Sequence, residues 1–264
     1  MTIGLEFGDV THIMGVINMS PESNNIHTIA RDTDHACEMA DRYRSAGATV
    51  IDIGGQSSHY ANPTIEVTHE IERLAPVVER LVGDGHVVSV DTWKPEVAEV
   101  MVDLGVAILN DTGGLADPRM ADIVARCDVT AVAMYIEGSN PHDVEEVEIT
   151  ADKAAVTARR LADRLAELET MGITDVIVDP GISINYRGDY LAYTRMQLDV
   201  IRGLDDLRLL GKPILVPIPR KQEDHRVAAY IAMALEFGAD MIRVHDVEMA
   251  CDLALLYERL PRKL

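Results

Sequence analysis

A (β/α)8 TIM barrel, an α/β fold, is predicted for this chain by three observations. Short, continuously apolar runs alternate with amphipathic stretches eight times along the sequence. Such runs suit parallel strands, because a parallel sheet is covered on both faces. Glycine marks the helix stops ahead of the second, fourth, seventh and eighth strands, where a left-handed residue ends a helix cheaply. The length of 264 residues suits one closed set of eight strand–helix units. No Gly/Ser- or Pro-rich linker interrupts the chain, so one domain over residues 1–264 is expected. A doubly wound open sheet is the alternative. It calls for a glycine-rich phosphate turn after the first strand, and INMSPES is not one.

The first strand is His12–Asn18, ending on a polar residue before a loop with Pro21, Asn24 and Asn25. Thr33 is expected to cap a helix that runs to about Ser45 and stops at Gly47. Strand two spans 49–53, with Asp52 inside it and Gly54-Gly55 after it, and the loop QSSHYANPT leads to a helix over 66–81. Residues 87–90 form strand three, closing on Asp91. Pro95 opens a helix that runs to 104, Gly105 stops it, and strand four over 106–109 closes on Asn110 and Asp111. A short helix over 117–125 and strand five over 129–134 lead into an acidic loop, 137–148. A long helix over 150–171 precedes strand six, 175–178, which ends at Asp179-Pro180-Gly181. A helix over 190–209, strand seven over 213–216, a helix over 224–237, strand eight Met241–Val244 and a helix over 247–260 complete the alternation.

The formal charge of −20 and a pI near 4.7 argue against nucleic acid as a partner, since that demands a basic footprint. An anionic substrate needs a local basic pocket acting against this global field. No apolar run approaches the roughly 20 residues of a membrane helix. Residues 1–9 lack a basic stretch followed by an apolar core, so no secretory signal is expected. Cys37, Cys127 and Cys251 have no C-x-x-C spacing and read as free, mostly buried thiols. Together these features predict a cytoplasmic protein that binds neither membrane nor nucleic acid. The nine histidines form no zinc motif.

In a barrel the C-terminal strand ends converge on one face, and there the sequence places Asn18, Gly54-Gly55, Asp91, Asn110, Met134, Asp179, Lys221, Arg243 and His245. Each has an ordinary explanation on its own: Asp91 as a helix cap, Asn110 and Asp111 as turn formers, Arg243 as the partner of a surface carboxylate. Gathered on one face they make two chemical sets. Asp91, Asn110 and Asp179 supply acceptors and an amide, suited to a flat heterocycle rich in N–H groups, such as a pterin or guanine-like ring. Arg243, His245 and Asn18 supply donors and an oxygen ligand, suited to an anion with Mg2+. Lys221, a mobile cation, can reach either.

IMGVINMSPES, GATVIDIGGQSS, VSVDTWKPEVA, LND, DPGI, PRK and RVHDV follow one another in that order at these strand ends. They resemble the successive motifs of the dihydropteroate synthase family and cover nearly the whole chain. The resemblance implies a (β/α)8 barrel that joins 6-hydroxymethyl-dihydropterin diphosphate to p-aminobenzoate and releases diphosphate. It implies pterin contacts at Asp91, Asn110, Met134, Asp179 and Lys221. Diphosphate falls to Asn18, Arg243 and His245, with Mg2+ on Asn18. Lys221, Arg243 and His245 are the implied catalytic set, and a homodimer the implied assembly.

The departures from the family cluster around the second substrate. The family's first loop continues as TPDSFSDGG, whereas here SPESNNIHT puts Asn24 at the aromatic and lacks the later acid. The second loop, ESTRP in the family, is Gln56-Ser57-Ser58-His59, so His59 replaces an arginine. DPGFGFGK becomes DPGISINY, with Ile184 for an aromatic wall, and SRKS becomes PRKQ, with Gln222 for a serine. Tyr135 stands where a histidine is common. Ser58, His59, Ile184 and Gln222 are therefore the altered second-substrate positions. They predict a pterin-binding transferase whose ordinary activity is weak or lost and whose acceptor is not p-aminobenzoate, unless Tyr60, Tyr186 or Arg187 restores the wall and the cation. One alternative is a one-carbon transferase or other enzyme acting on an intact reduced folate. Another is a non-catalytic pterin-binding paralogue.

Overall fold

The computed structural model describes residues 3–219 and 223–261. The apolar runs form β1 (His12–Asn18), β2 (Val50–Gly54), β3 (Val88–Asp91), β4 (Ile108–Asp111), β5 (Thr130–Met134), β6 (Val176–Asp179), β7 (Leu215–Pro217) and β8 (Met241–Val244). All their pairings are parallel, in the spatial order β6-β5-β4-β3-β2-β1-β8-β7. The ring closes where Val178 bridges Ile214 and the Val178 amide donates to Pro213 O at 2.9 Å. The predicted barrel is the observed fold. Around it run α1 (Thr33–Ala46), α2 (Val67–Gly83), α3 (Pro95–Asp103), α4 (Pro118–Arg126), α5 (Lys153–Thr170), α6 (Tyr190–Arg202), α7 (Leu204–Arg208), α8 (Asp224–Glu236) and α9 (Val247–Leu256).

Successive side chains of a strand point to opposite faces, and the two parities build two cores. Ile13, Ile17, Ile51, Ile53, Val90, Leu109, Ala131, Val178, Val216 and Ile242 face outward into the large core shared with the helices. Met14, Val50, Ile108, Val132, Ile177, Leu215 and Met241 face inward and plug the lower barrel, with Ile3 beneath them. Two residues further along, four of these seven inward positions turn polar. Val50 is followed by Asp52, Ile108 by Asn110, Ile177 by Asp179 and Met241 by Arg243. The barrel is thus apolar at its base and charged toward its C-terminal mouth.

Three element readings change. The cap of α1 is Asp32, whose carboxylate accepts from the His35 amide at 2.8 Å, and Thr33 is the first helical residue. The helix read over 190–209 breaks at Gly203, where α5 crosses so closely that a Cβ would lie 2.4 Å from Ala154 Cβ and only glycine fits. The last helix ends at Leu256, and Glu258 adopts φ 56°, turning the chain so that Arg259 O accepts from the Thr11 amide at 2.7 Å. Cys37 and Cys251 are buried, Cys127 is half-buried, and all three are free thiols.

Candidate active site

The parallel register puts Asn18, Gly54, Asp91 and Asn110 on one rung across β1 to β4. One layer deeper lies Asp52, fully buried. Burying a carboxylate demands partners, and Asp52 has several. Arg243 Nε donates to its Oδ2 at 2.6 Å, Ser89 Oγ donates to its Oδ1 at 2.6 Å, and Asn110 Nδ2 lies 3.4 Å from each oxygen. Arg243 Nη2 donates to Asp91 Oδ2 at 2.7 Å, and Thr112 Oγ1 to Asp91 Oδ1 at 3.3 Å. Asp52 was absent from the candidate residues. It was legible only by counting parity from Asp91 and Asn110, since nothing in VIDIG marks the acid as inward-facing.

Two carboxylates, Asp52 and Asp91, therefore share one guanidinium, and its charge also acts on Asp179. Burial pushes Asp179 up to about 7, although the Gly181 amide at 2.6 Å and the Arg243 charge both oppose that rise. Burial also raises Asp91, with Arg243 pulling the other way and Asp52 adding to the rise. Burial works against the Arg243 charge, but Asp52 and Asp91 more than offset it and hold it above the ordinary arginine range. The site has more acceptor capacity than donors. A ring edge carrying several N–H groups complements it.

The ordinary explanations now sort out. Asp91 caps nothing, and Arg243 is a central residue rather than a surface one. Asp111 is a loop former: its carboxylate accepts from the Gly113 amide at 2.7 Å and the Leu115 amide at 2.8 Å. The Gly181 turn after β6 is just as tight, with φ 70° and a Cβ position 1.9 Å from Tyr135 O, so only glycine presents its amide to Asp179 there.

Above the carboxylates opens a cavity of about 310 Å3, and Asn18, Asp91, Arg243, His245, Ser58, His59 and Ile184 all reach its wall. Asn110, Met134 and Asp179 are buried and are not part of that wall. The structure thus brings most of the expected residues together, with one rearrangement. Nε and Nη2 of Arg243, expected to meet an anion, are turned to Asp52 and Asp91. Asn25 Nδ2 lies 2.8 Å from His245 Nε2. Asn18 Nδ2 donates to Thr28 Oγ1 at 2.6 Å, and that hydroxyl gives its own proton to Asn25 O at 2.8 Å. The Asn18 amide is oriented by this relay, leaving Oδ1 as its acceptor. Lys221 and Gln222 lie outside the described residues. Among the described residues no cluster of three or more His, Cys, Asp or Glu forms a metal site.

Ile184 touches the cavity but offers it little surface. It is buried against Met134 and Val144, with Tyr60, Ile136 and Tyr186 packed around them. Aromatic surface comes from Tyr186, Tyr190 and Tyr193, which line the cavity. Tyr186 is held in place from below. Its hydroxyl accepts from the Glu137 amide at 2.8 Å, and its ring meets Tyr193 edge-on at 5.8 Å. Glu137 is in turn paired with buried Lys153, which also donates to Glu148 O at 2.8 Å, and it accepts from the Tyr135 hydroxyl at 2.8 Å. These loop contacts between β5 and β6 had no signature in the sequence.

The family model "Pterin binding enzyme" matches residues 14–245. The chain belongs to the pterin-binding enzyme family. Within that family it is 29% identical over 248 residues to the dihydropteroate synthase of Escherichia coli K12, covering 90% of this chain and 87% of that one. It is 30% identical over 290 residues to a mitochondrial folate synthesis bifunctional protein of Arabidopsis thaliana, of which it spans 51%. It spans only 30% of a probable bifunctional folylpolyglutamate synthase/dihydropteroate synthase of Halobacterium salinarum, also 30% identical. This pterin-binding family member thus spans about half or less of its longer relatives. Among solved structures, the Thermus thermophilus dihydropteroate synthase in complex with 4-aminobenzoate superposes with a TM-score of 0.79 at 30% identity, covering 96% of this chain and 95% of that one. The Burkholderia cenocepacia enzyme complexed with 7,8-dihydropteroate gives 0.79 at 26% identity, with 94% and 90% covered.

Proposed function

We propose that this protein is a dihydropteroate synthase whose acceptor pocket is built from residues of its own. The observation that carries the reading is the buried set Asp52, Asp91, Asp179 and Asn110 around Arg243, directly beneath an aromatic-lined cavity. The acidic floor suits the N–H edge of a pterin, and the cavity above suits a flat arylamine. The reaction is a displacement. The acceptor nitrogen forms a bond to the pterin methylene carbon, the bond from that carbon to the diphosphate oxygen breaks, the nitrogen loses a proton, and diphosphate leaves.

Asn18 and His245 at the mouth are the proposed diphosphate contacts, with the remaining Arg243 nitrogen on the cationic side. Asn18 Oδ1, left as an acceptor by the Thr28 relay, would hold one position of a Mg2+ ion, a hard cation that takes oxygen ligands. The chemistry such an ion would supply there is neutralisation of the charge developing on the leaving diphosphate. The altered loops led us to expect loss of the ordinary acceptor. Tyr186, Tyr190, Tyr193 and Arg187 at the cavity wall supply the aromatic surface and cation whose loss motivated that expectation, and they support retention.

Calorimetric titration with the pterin diphosphate and, separately, with 5-methyltetrahydrofolate tests this reading. Tight binding of the diphosphate, strengthened by Mg2+, is expected. Preference for the intact folate would point instead to a one-carbon transferase, and binding of pterin without turnover to a non-catalytic role.

A further inference from the structure

We propose that Arg187 is the specificity-determining cation of the acceptor site, capturing an anionic group on the arylamine. This rests on the synthase reading above and names what the second substrate must carry. On a chain of formal charge −20, an anion needs a local cation that is not already spent. Most basic groups near the mouth are spent. Arg243 has Asp52 and Asp91 at 2.6 and 2.7 Å. Lys94 contacts Glu70 at 2.8 Å and gives bonds to Gln56 Oε1 and Ile65 O at 2.6 Å each. Arg73 is paired with Glu22 at 2.9 Å, and Lys153 with Glu137. The Ala61 amide donates to His59 Nδ1 at 3.1 Å, which leaves that ring only Nε2 as a donor.

Arg187 differs from all of these. It lines the cavity, and among the described residues no carboxylate is paired with it. Its guanidinium carbon sits 5.0 Å from the centroid of the Tyr60 ring, and Tyr60 itself stacks on His59 at 4.8 Å. The Arg187 backbone is fixed by its amide donating to Glu145 O at 3.0 Å. A guanidinium resting on an aromatic face keeps its N–H donors in its own plane, pointing away from the ring. That is a prepared fork for a carboxylate, which accepts two parallel bonds from it. Tyr186, the preceding residue, provides the flat surface along which an aromatic ring would lie. The substrate class is therefore an arylamine with its anionic group at the end remote from the nitrogen.

The test compares 4-aminobenzoate with its neutral analogue 4-aminobenzamide in wild type, Arg187→Ala and Arg187→Lys, with the pterin diphosphate as co-substrate. The ratio of the two KM values is expected to rise about tenfold or more toward the amide in Arg187→Ala, the scale of one lost charge-assisted pair. Arg187→Lys should recover part of it. Equal shifts for both acceptors, or no shift, would overturn the proposal. Equilibrium binding of the same two acceptors separates this proposal from the reading beneath it. Carboxylate-selective, Arg187-dependent binding without turnover would sink the synthase reading and keep Arg187, whereas unselective or absent binding would remove Arg187.

Discussion

Arg243 Nε and Asp52 Oδ2 face each other at 2.6 Å inside the barrel, and the same guanidinium reaches Asp91 with Nη2. Asp52 thereby aims the arginine and, through Ser89 and Asn110, ties β2, β3, β4 and β8 into one polar layer. Asp52→Ala leaves Arg243 without its deepest partner, and breaking a buried pair costs roughly 3–5 kcal/mol. Thermal unfolding should show that loss. Asp52→Asn keeps the bond from Ser89 and should fold better, while pterin affinity still falls because Arg243 keeps only Asp91 as a carboxylate partner. Wild-type affinity in a folded Asp52→Asn protein would remove the residue from the site.

Asp179 makes the ligand-free protein pH-sensitive. Its pKa is about 7 when folded against an ordinary 3.8, so the folded state holds the proton more tightly than the unfolded chain. By linkage, its contribution to stability is greatest at low pH, falls as pH rises from about 4 to about 7, and is level above that. Asp91, also raised by burial, and Asp111, pushed by burial to about 6, add to the same slope, so the comparison with Asp179→Asn isolates Asp179. That variant should lose part of the decline in Tm across the window and gain stability at pH 8. A decline unchanged in the variant would contradict the assignment.

Pterin binding should show the mirror image. Ring N–H donors favour the ionised carboxylates, so affinity should rise with pH up to about 7 and binding below that should release protons. Calorimetry in buffers of different ionisation heat counts those protons. Asp179→Asn should weaken binding by roughly 1.5–3 kcal/mol, the range for a hydrogen bond to a charged group. Proton uptake on binding would refute the acceptor role.

Ile184→Phe tests whether the family's aromatic can simply be restored. Ile184 is 4% exposed and wedged against Met134 and Val144. Overpacking such a site costs about 1–3 kcal/mol. The variant should be less stable and no better for 4-aminobenzoate. A clear fall in KM would instead make Ile184 the defective wall.

Much of this molecule was legible in its sequence because barrel chemistry follows strand parity. Asp91, Asn110, Asp179 and Arg243 stand out where apolar strands end, and the register does bring them to one face. Asp52 escaped because an acid inside a strand looks like an exception until its neighbours Ser89 and Arg243 are known. The need for glycine at Gly203 escaped because the residue that crowds it, Ala154, is 49 residues away. Tyr186, Arg187 and Tyr60 belong to loops whose contacts come from packing between β2, β5 and β6, which no periodicity encodes. The substitutions at His59 and Ile184 read as losses for the same reason. The residues proposed to stand in for them, Tyr186 and Arg187, lie elsewhere in the chain.

The most direct measurement is a steady-state assay of dihydropteroate formation from 6-hydroxymethyl-dihydropterin diphosphate and 4-aminobenzoate, with diphosphate release followed in parallel. We expect one diphosphate per dihydropteroate, turnover in the common enzyme range of about 1 s−1 or more, and KM values within about 1 μM to 1 mM. Absence of dihydropteroate from a folded protein that still binds the pterin diphosphate would contradict the account.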